Sequence, residues 1–171
     1  MSVVSNSGPL INLAKVGRFS LLKDLFQRIL IPYGVFEEVV VRGVGQPGSV
    51  ETQSARWLSR RKLKQPDIAN ILMAELDRGE AEAIALALQE KADWHLIDER
   101  KGRRFAQQAG LKVKGTLGIL VEGVRRGRIV DLRPILDEMI AKETWVTPAV
   151  YGQILALAQE VRQGRGTKEP S

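Results

Sequence analysis

Five side chains able to ligate a cation or move a proton are spread along the chain: Asn6, Glu38, the pair Glu80 and Glu82, and Asp98. Asn6 follows the apolar pair Val3 and Val4 in V-V-S-N-S-G-P, Glu38 lies in V-F-E-E-V-V, Glu80 and Glu82 share R-G-E-A-E-A-I-A-L-A, and Asp98 closes H-L-I-D. Acids drawn from distant segments are what a hard cation such as Mg²⁺ or Mn²⁺ requires, because it takes oxygen ligands in octahedral geometry and keeps several waters. Glu80 and Glu82 stand two residues apart, and on a helix that step turns them to different faces, so they compete for one place in such a site. The spacing alone is not diagnostic, since acids of a soluble protein mostly sit on solvated surface.

The elements that must position these residues read as short apolar strands alternating with helices. Strands are predicted at Val3–Val4, Ile29–Ile31, Trp94–Ile97 and Leu111–Val113. Pro9 suits the start of a helix, where a missing N–H costs nothing, and Gly17 suits its C-terminal cap. Val35, Phe36, Val39 and Val40 recur at helical spacing around Glu37 and Glu38. Residues 50–61 read as a polar surface helix carrying Trp57, residues 63–67 as irregular, and Asp77-Arg78-Gly79 as a break before an alanine-rich helix opened by Glu80. Later helices are predicted at 100–109, 116–124, 132–141 and 148–162. The pattern predicts an α/β fold: a three-layer α/β/α sandwich on a mostly parallel sheet, with Val3 and Val4 in a central strand. In such sheets ligands bind at the carboxyl ends of the strands, where Asn6 and Asp98 fall. One domain is expected over residues 1–160, with a flexible tail over 161–171.

Composition narrows the chemistry. The chain has 171 residues, 26 Lys and Arg against 20 Asp and Glu, and a net charge of +6, which favours a polyanionic partner. It has no cysteine, so disulfides, thiolate metal sites and cysteine nucleophiles are excluded. No apolar stretch reaches the length of a membrane span, and a cytoplasmic location without membrane association is expected. G-V-G-Q-P-G at 43–48 matches the dinucleotide fingerprint literally, but Pro47 removes a donor where the pyrophosphate needs one and no buried strand with a ribose-binding acid follows. His95, the single histidine, sits between Trp94 and Leu96 and reads as a core residue. Two basic clusters remain: Arg100, Lys101, Arg103 and Arg104 directly after Asp98, and Arg56, Arg60, Arg61, Lys62 and Lys64. The first, nearest the acids, is the candidate for holding nucleic-acid phosphates.

Taken together and in this order, V-V-S-N-S-G-P-L-I-N-L-A-K-V-G, V-F-E-E-V-V, R-G-E-A-E-A-I-A-L-A, H-L-I-D-E-R and G-T-L-G-I-L-V resemble the PIN-like nuclease superfamily, and within it the DUF3368 branch related to VapC-type toxins. The resemblance implies a ribonuclease that uses Mg²⁺ or Mn²⁺ to cut single-stranded RNA, restrained by a small antitoxin-like protein and commonly paired as a homodimer. Carried over by position, it implies catalytic and metal-binding roles for Asn6, Glu38, Glu80 and Asp98, with Glu82 as the competing ligand. Asn6 stands where the first aspartate of the superfamily would be, and the branch also carries asparagine there. Two readings therefore stay open. Either three carboxylates suffice for catalysis, or the chain is a weakened or inactive module that binds nucleic acid and regulates.

Overall fold

The computed structural model describes residues 1–166. Five strands form one sheet: β1 (Val3–Ser5), β2 (Ile29–Ile31), β3 (Leu58–Arg60), β4 (Trp94–Leu96) and β5 (Val113–Lys114), in the order β3-β2-β1-β4-β5. Every neighbouring pair is parallel. The expected α/β/α sandwich is therefore present, with β1 at its centre. Val3 and Val4 are buried on both faces of the sheet, which a parallel strand covered by helices demands.

The helices are α1 (Ser7–Lys15), α2 (Leu21–Phe26), α3 (Tyr33–Phe36), a π-helical segment Glu37–Arg42, α4 (Ser49–Ser54), α5 (Asp67–Leu72), α6 (Arg78–Gln89), α7 (Arg100–Gln108), α8 (Thr116–Arg125), α9 (Arg133–Ala141) and α10 (Pro148–Gly166). From β1 the chain steps to β2 and β3, then returns past β1 to β4 and β5. Right-handed crossovers accordingly place the helices before and after that reversal on opposite faces. The reversal also makes the β1–β4 boundary the switch point of the sheet, where a crevice opens at the strand ends. Register puts Val3, Val4 and Ser5 opposite Trp94, His95 and Leu96, and the Asn6 N–H then donates to the Leu96 carbonyl at 2.8 Å.

Local chemistry explains most element ends. Helix α1 closes on Gly17 at φ +66°, with Arg18 N–H donating to Leu13 O and Gly17 N–H to Ala14 O, the two bonds of a Schellman cap. Pro9 occupies the third helical position rather than the first, still within the turn whose N–H groups have no helical acceptor. Asp77 does not break a helix but caps one: its carboxylate accepts from Glu80 N–H at 2.8 Å, and Glu80 Oε2 accepts from Asp77 N–H at 3.3 Å. The small face of α6, with Ala81, Ala83, Ile84 and Ala87 fully buried, lets it lie against β1 and β4.

The predicted surface helix over residues 50–61 is corrected. It ends at Ser54, and Leu58–Arg60 form β3. Only Leu58 of that strand is buried, so its place rests on backbone pairing with β2 rather than on an apolar run. The chain divides into two compact units, Met1–Thr116 and the residues from Leu117 onward. In the second, α9 and α10 follow α8, and Ile119, Leu120, Leu132, Leu136 and Met139 are buried. Helix α10 runs through the start of the expected tail to Gly166, and residues 167–171 lie outside those described.

His95 is fully buried in β4, its Nδ1 lies 3.3 Å from the Val4 carbonyl, and its Nε2 has no partner among the described residues. Burial holds the imidazole neutral, its pKa lowered to about 4. The unfolded chain takes up a proton near pH 6.5 that the fold refuses until about pH 4, so stability is full above that window and falls through it as pH drops. The loss should reach roughly 3 kcal/mol by pH 4. Urea denaturation at pH 7 and pH 4 should show this loss in the parent and a much smaller one in His95→Leu.

Candidate functional site

The turn Asn6–Gly8 leaves the carboxyl end of β1 and reaches two acids at once. Ser7 Oγ donates to Glu38 Oε2 at 2.6 Å, and a Cβ placed on Gly8 would lie 3.0 Å from Asp98 Oδ2, so the bare glycine backbone lets Asp98 approach without a tight contact. Asn6 itself is 4% exposed and occupies the N-cap of α1. An N-cap asparagine normally accepts from the second or third helical N–H. Pro9 has removed the third, and the Asn6 side chain makes no capping bond. Its Oδ1 is buried with no hydrogen-bond partner among the described residues. A buried amide oxygen in that state is costly unless something binds it.

Asp98 is the most firmly held acid. Oδ1 accepts from Thr116 N–H at 2.7 Å, and Oδ2 accepts from Thr116 Oγ1 at 2.6 Å and from Asn12 Nδ2 at 2.9 Å. Neither Asn12 nor Thr116 is signalled by sequence, because Thr116 is 18 residues away and Asn12 is 86. Glu38 lies in the π-helical segment, a distortion often found at functional sites. A Cβ on Gly79 would come within 3.0 Å of Glu38 Oε2, which sets Glu38 against the first turn of α6 beside Glu80.

Glu80 is 9% exposed, and a Cβ on Gly102 would lie 3.2 Å from its Oε1. Its pKa is raised by burial first and then by the negative charges of Asp77, Glu99 and Glu38, against a backbone bond from Asp77 that lowers it. Asn6, Glu38, Glu80 and Asp98 thus line one stretch of the sheet's carboxyl edge. Glu82 turns elsewhere: Oε2 accepts from Gly34 N–H at 2.7 Å and Oε1 from Arg78 Nε at 3.0 Å.

The basic cluster after Asp98 is divided. Lys101 pairs with Glu75 at 3.0 Å on the exposed side of α7, and Arg103 Nη1 donates to the Ile97 carbonyl at 3.2 Å near Asp98. Arg100 and Arg104 are exposed and form no ion pair among the described residues.

Whether the residues suit a divalent cation rests on the donor set. One orphaned amide oxygen and three carboxylates, each with lone pairs left over, are hard oxygen donors of the type Mg²⁺ and Mn²⁺ take. Each acid has its own protein donor, and among the described residues no three His, Cys, Asp or Glu side chains gather closely enough to hold an ion as they stand.

An all-parallel sheet with this order, ending its central strand beside acids from later segments, has the PIN-like nuclease architecture. Within that class, residues 2–160 match the family model DUF3368, a PIN domain, and the chain belongs to that family. No curated protein matches the chain. Among the described residues no helix is long and apolar enough to cross a membrane.

Because the raised pKa of Glu80 disfavours its ionised form in the fold, its charge costs stability that grows as pH rises above the ordinary carboxylate range and disappears in acid. Glu80→Gln keeps the capping geometry and should raise the melting temperature by a few degrees at pH 7.5. The gain should vanish near pH 4 in thermal scans by circular dichroism.

Proposed function

We propose that this PIN domain is a Mg²⁺- or Mn²⁺-dependent endonuclease acting on single-stranded RNA. The observation that carries the reading is the buried, unpartnered Asn6 Oδ1 at the end of the central strand, in a turn whose next two residues meet Glu38 and Asp98. Asn6, Glu38, Glu80 and Asp98 would hold the cation. When bound, it supplies an activated water and neutralises charge on the scissile phosphate.

The chain's own residues prepare the place. Asn12 and Thr116 orient the Asp98 carboxylate and Ser7 orients Glu38, and holding a cation would require these side chains to close toward one another. A cation beside Glu80 would favour the ionised form that burial and its acidic neighbours disfavour. Arg100, Arg103 and Arg104 supply positive charge next to Asp98 for the flanking phosphates. Cytoplasmic location, pairing of two copies and restraint by a small antitoxin-like protein belong to the same proposal. A second reading, nucleic-acid binding without cleavage, is favoured by the missing charge at Asn6 and by the separate hydrogen bonds of the acids.

Asn6→Asp adds a ligand charge in almost the same shape and should tighten Mn²⁺ binding on the order of tenfold. It should also raise cleavage of single-stranded RNA, whereas Asp98→Ala added to it abolishes both. Isothermal titration with Mn²⁺ and gel assays with Mg²⁺, Mn²⁺ or chelator check this. Cleavage that ignores chelator or survives loss of Asp98 contradicts the enzyme reading. Tight Mn²⁺ binding with no cleavage by any variant favours the binding module.

A further inference from the structure

A second feature lies on the same edge of the sheet, away from the acids. A cleft of about 480 Å³ is lined by Tyr33, Arg61, Lys62, Leu63, Arg78 and Glu82, among others. Tyr33 opens α3 directly after β2, and Arg61 follows β3 with its N–H on the Ile31 carbonyl at 2.9 Å. The cleft thus sits over the carboxyl ends of β2 and β3. Strand β3 is two strands from β1, about 10 Å along the sheet edge.

Its walls are fixed and its cations are available. Arg78 is clamped between Glu37 at 2.6 Å and Glu82 at 3.0 Å, and Glu82 also accepts from Gly34 N–H, so this wall is ordered and keeps one net negative charge, which Arg61 and Lys62 outweigh. Arg60 packs over the Phe36 ring at 4.0 Å and the Tyr33 ring at 5.6 Å, which steadies an aromatic side chain that is still 49% exposed. Lys62 forms no ion pair among the described residues, and Arg61 has only a 3.8 Å contact with Glu90 on half-exposed surface, which costs little to redirect. Leu63 adds an apolar surface beside the tyrosine. A steadied aromatic ring next to two available cations is the pairing that holds unstacked bases and their phosphates.

We infer that this cleft is a substrate-strand subsite, taking a base of single-stranded RNA on Tyr33 and the adjoining phosphates on Arg61 and Lys62. The inference rests on the nuclease reading of the neighbouring acids, and it gives Glu82 the role of ordering the cleft rather than ligating a cation.

The test is fluorescence anisotropy of a labelled uridine-rich single-stranded RNA in chelator, where binding is read without cleavage, with Mn²⁺ titrations run in parallel on the same proteins. Tyr33→Leu should weaken RNA binding at least about fivefold, the equivalent of losing one stacked base. Arg61→Glu with Lys62→Glu should weaken it about tenfold or more and flatten the salt dependence by more than one unit of slope. Arg18→Glu with Lys23→Glu, an equal charge change away from the cleft, should matter far less. Matching melting temperatures verify folding, and Lys62→Ala, on exposed surface, serves if the double variant unfolds.

Unchanged binding by the cleft variants, with Mn²⁺ binding intact, overturns the subsite and leaves the metal reading standing. A parent that binds no RNA overturns the subsite, and its Mn²⁺ titration then reports on the acids separately. Equal losses from the distant charge swap, no effect of Tyr33→Leu, or equal competition by polyglutamate would each reduce the cleft to general basic surface and overturn the proposal.

Discussion

Acids from distant segments brought to one edge of the sheet are the constraint around which this fold is arranged. The three residues Asn6–Gly8 meet Glu38 through the Ser7 hydroxyl and Asp98 through the missing Gly8 side chain, while Glu80 is pressed by Glu38, Glu99 and Asp77. Burial and the negative charges of Asp77, Glu99 and Glu38 oppose the ionisation of Glu80. The fold answers by giving each acid its own donor: Thr116 and Asn12 for Asp98, Ser7 for Glu38, the Asp77 N–H for Glu80. A neutral amide at position 6 eases the same problem, since it offers an oxygen without a fourth charge.

The scaffold serves this arrangement in particular ways. Placing β1 between β2 and β4 brings Asn6 and Asp98 to adjacent strand ends, although 92 positions separate their numbers. The π-helical segment presents neighbouring acids to different partners, Glu37 to Arg78 and Glu38 to Ser7. Gly43 ends it, and a Cβ there would collide with the Val39 carbonyl oxygen, so the widened turn depends on glycine. Along α6 the two-residue step between Glu80 and Glu82 separates the two regions, one facing the acids and the other the basic cleft.

Much of the fold was readable because its signals are local. Paired β-branched residues marked β1, alanines marked the close face of α6, and Gly17 marked the end of α1. Strand β3 escaped because Ser59 and Arg60 are exposed and its place is fixed by pairing with β2, a long-range fact with no local pattern. Asp77 reads as a breaker in sequence because aspartate suits both turns and caps, and the choice depends on Glu80 reaching back. The five candidate side chains were all visible in sequence, but not their sorting. Only packing shows that Glu82 turns to Arg78 and that Asn12 and Thr116 hold Asp98. Tyr33 was invisible as a stacking surface because nothing local brings it beside Arg61 and Lys62.

The central claim is that Asn6 Oδ1 is left unpartnered because it is a cation ligand. Crystals grown with Mn²⁺ and measured for anomalous scattering above the manganese edge test it directly. An anomalous peak bound by Asn6 Oδ1 together with carboxylate oxygens from Asp98 and at least one of Glu38 and Glu80 is expected. An empty site with Mn²⁺ bound elsewhere, or an Asn6 amide turned so that Nδ2 donates to the acids, would contradict it.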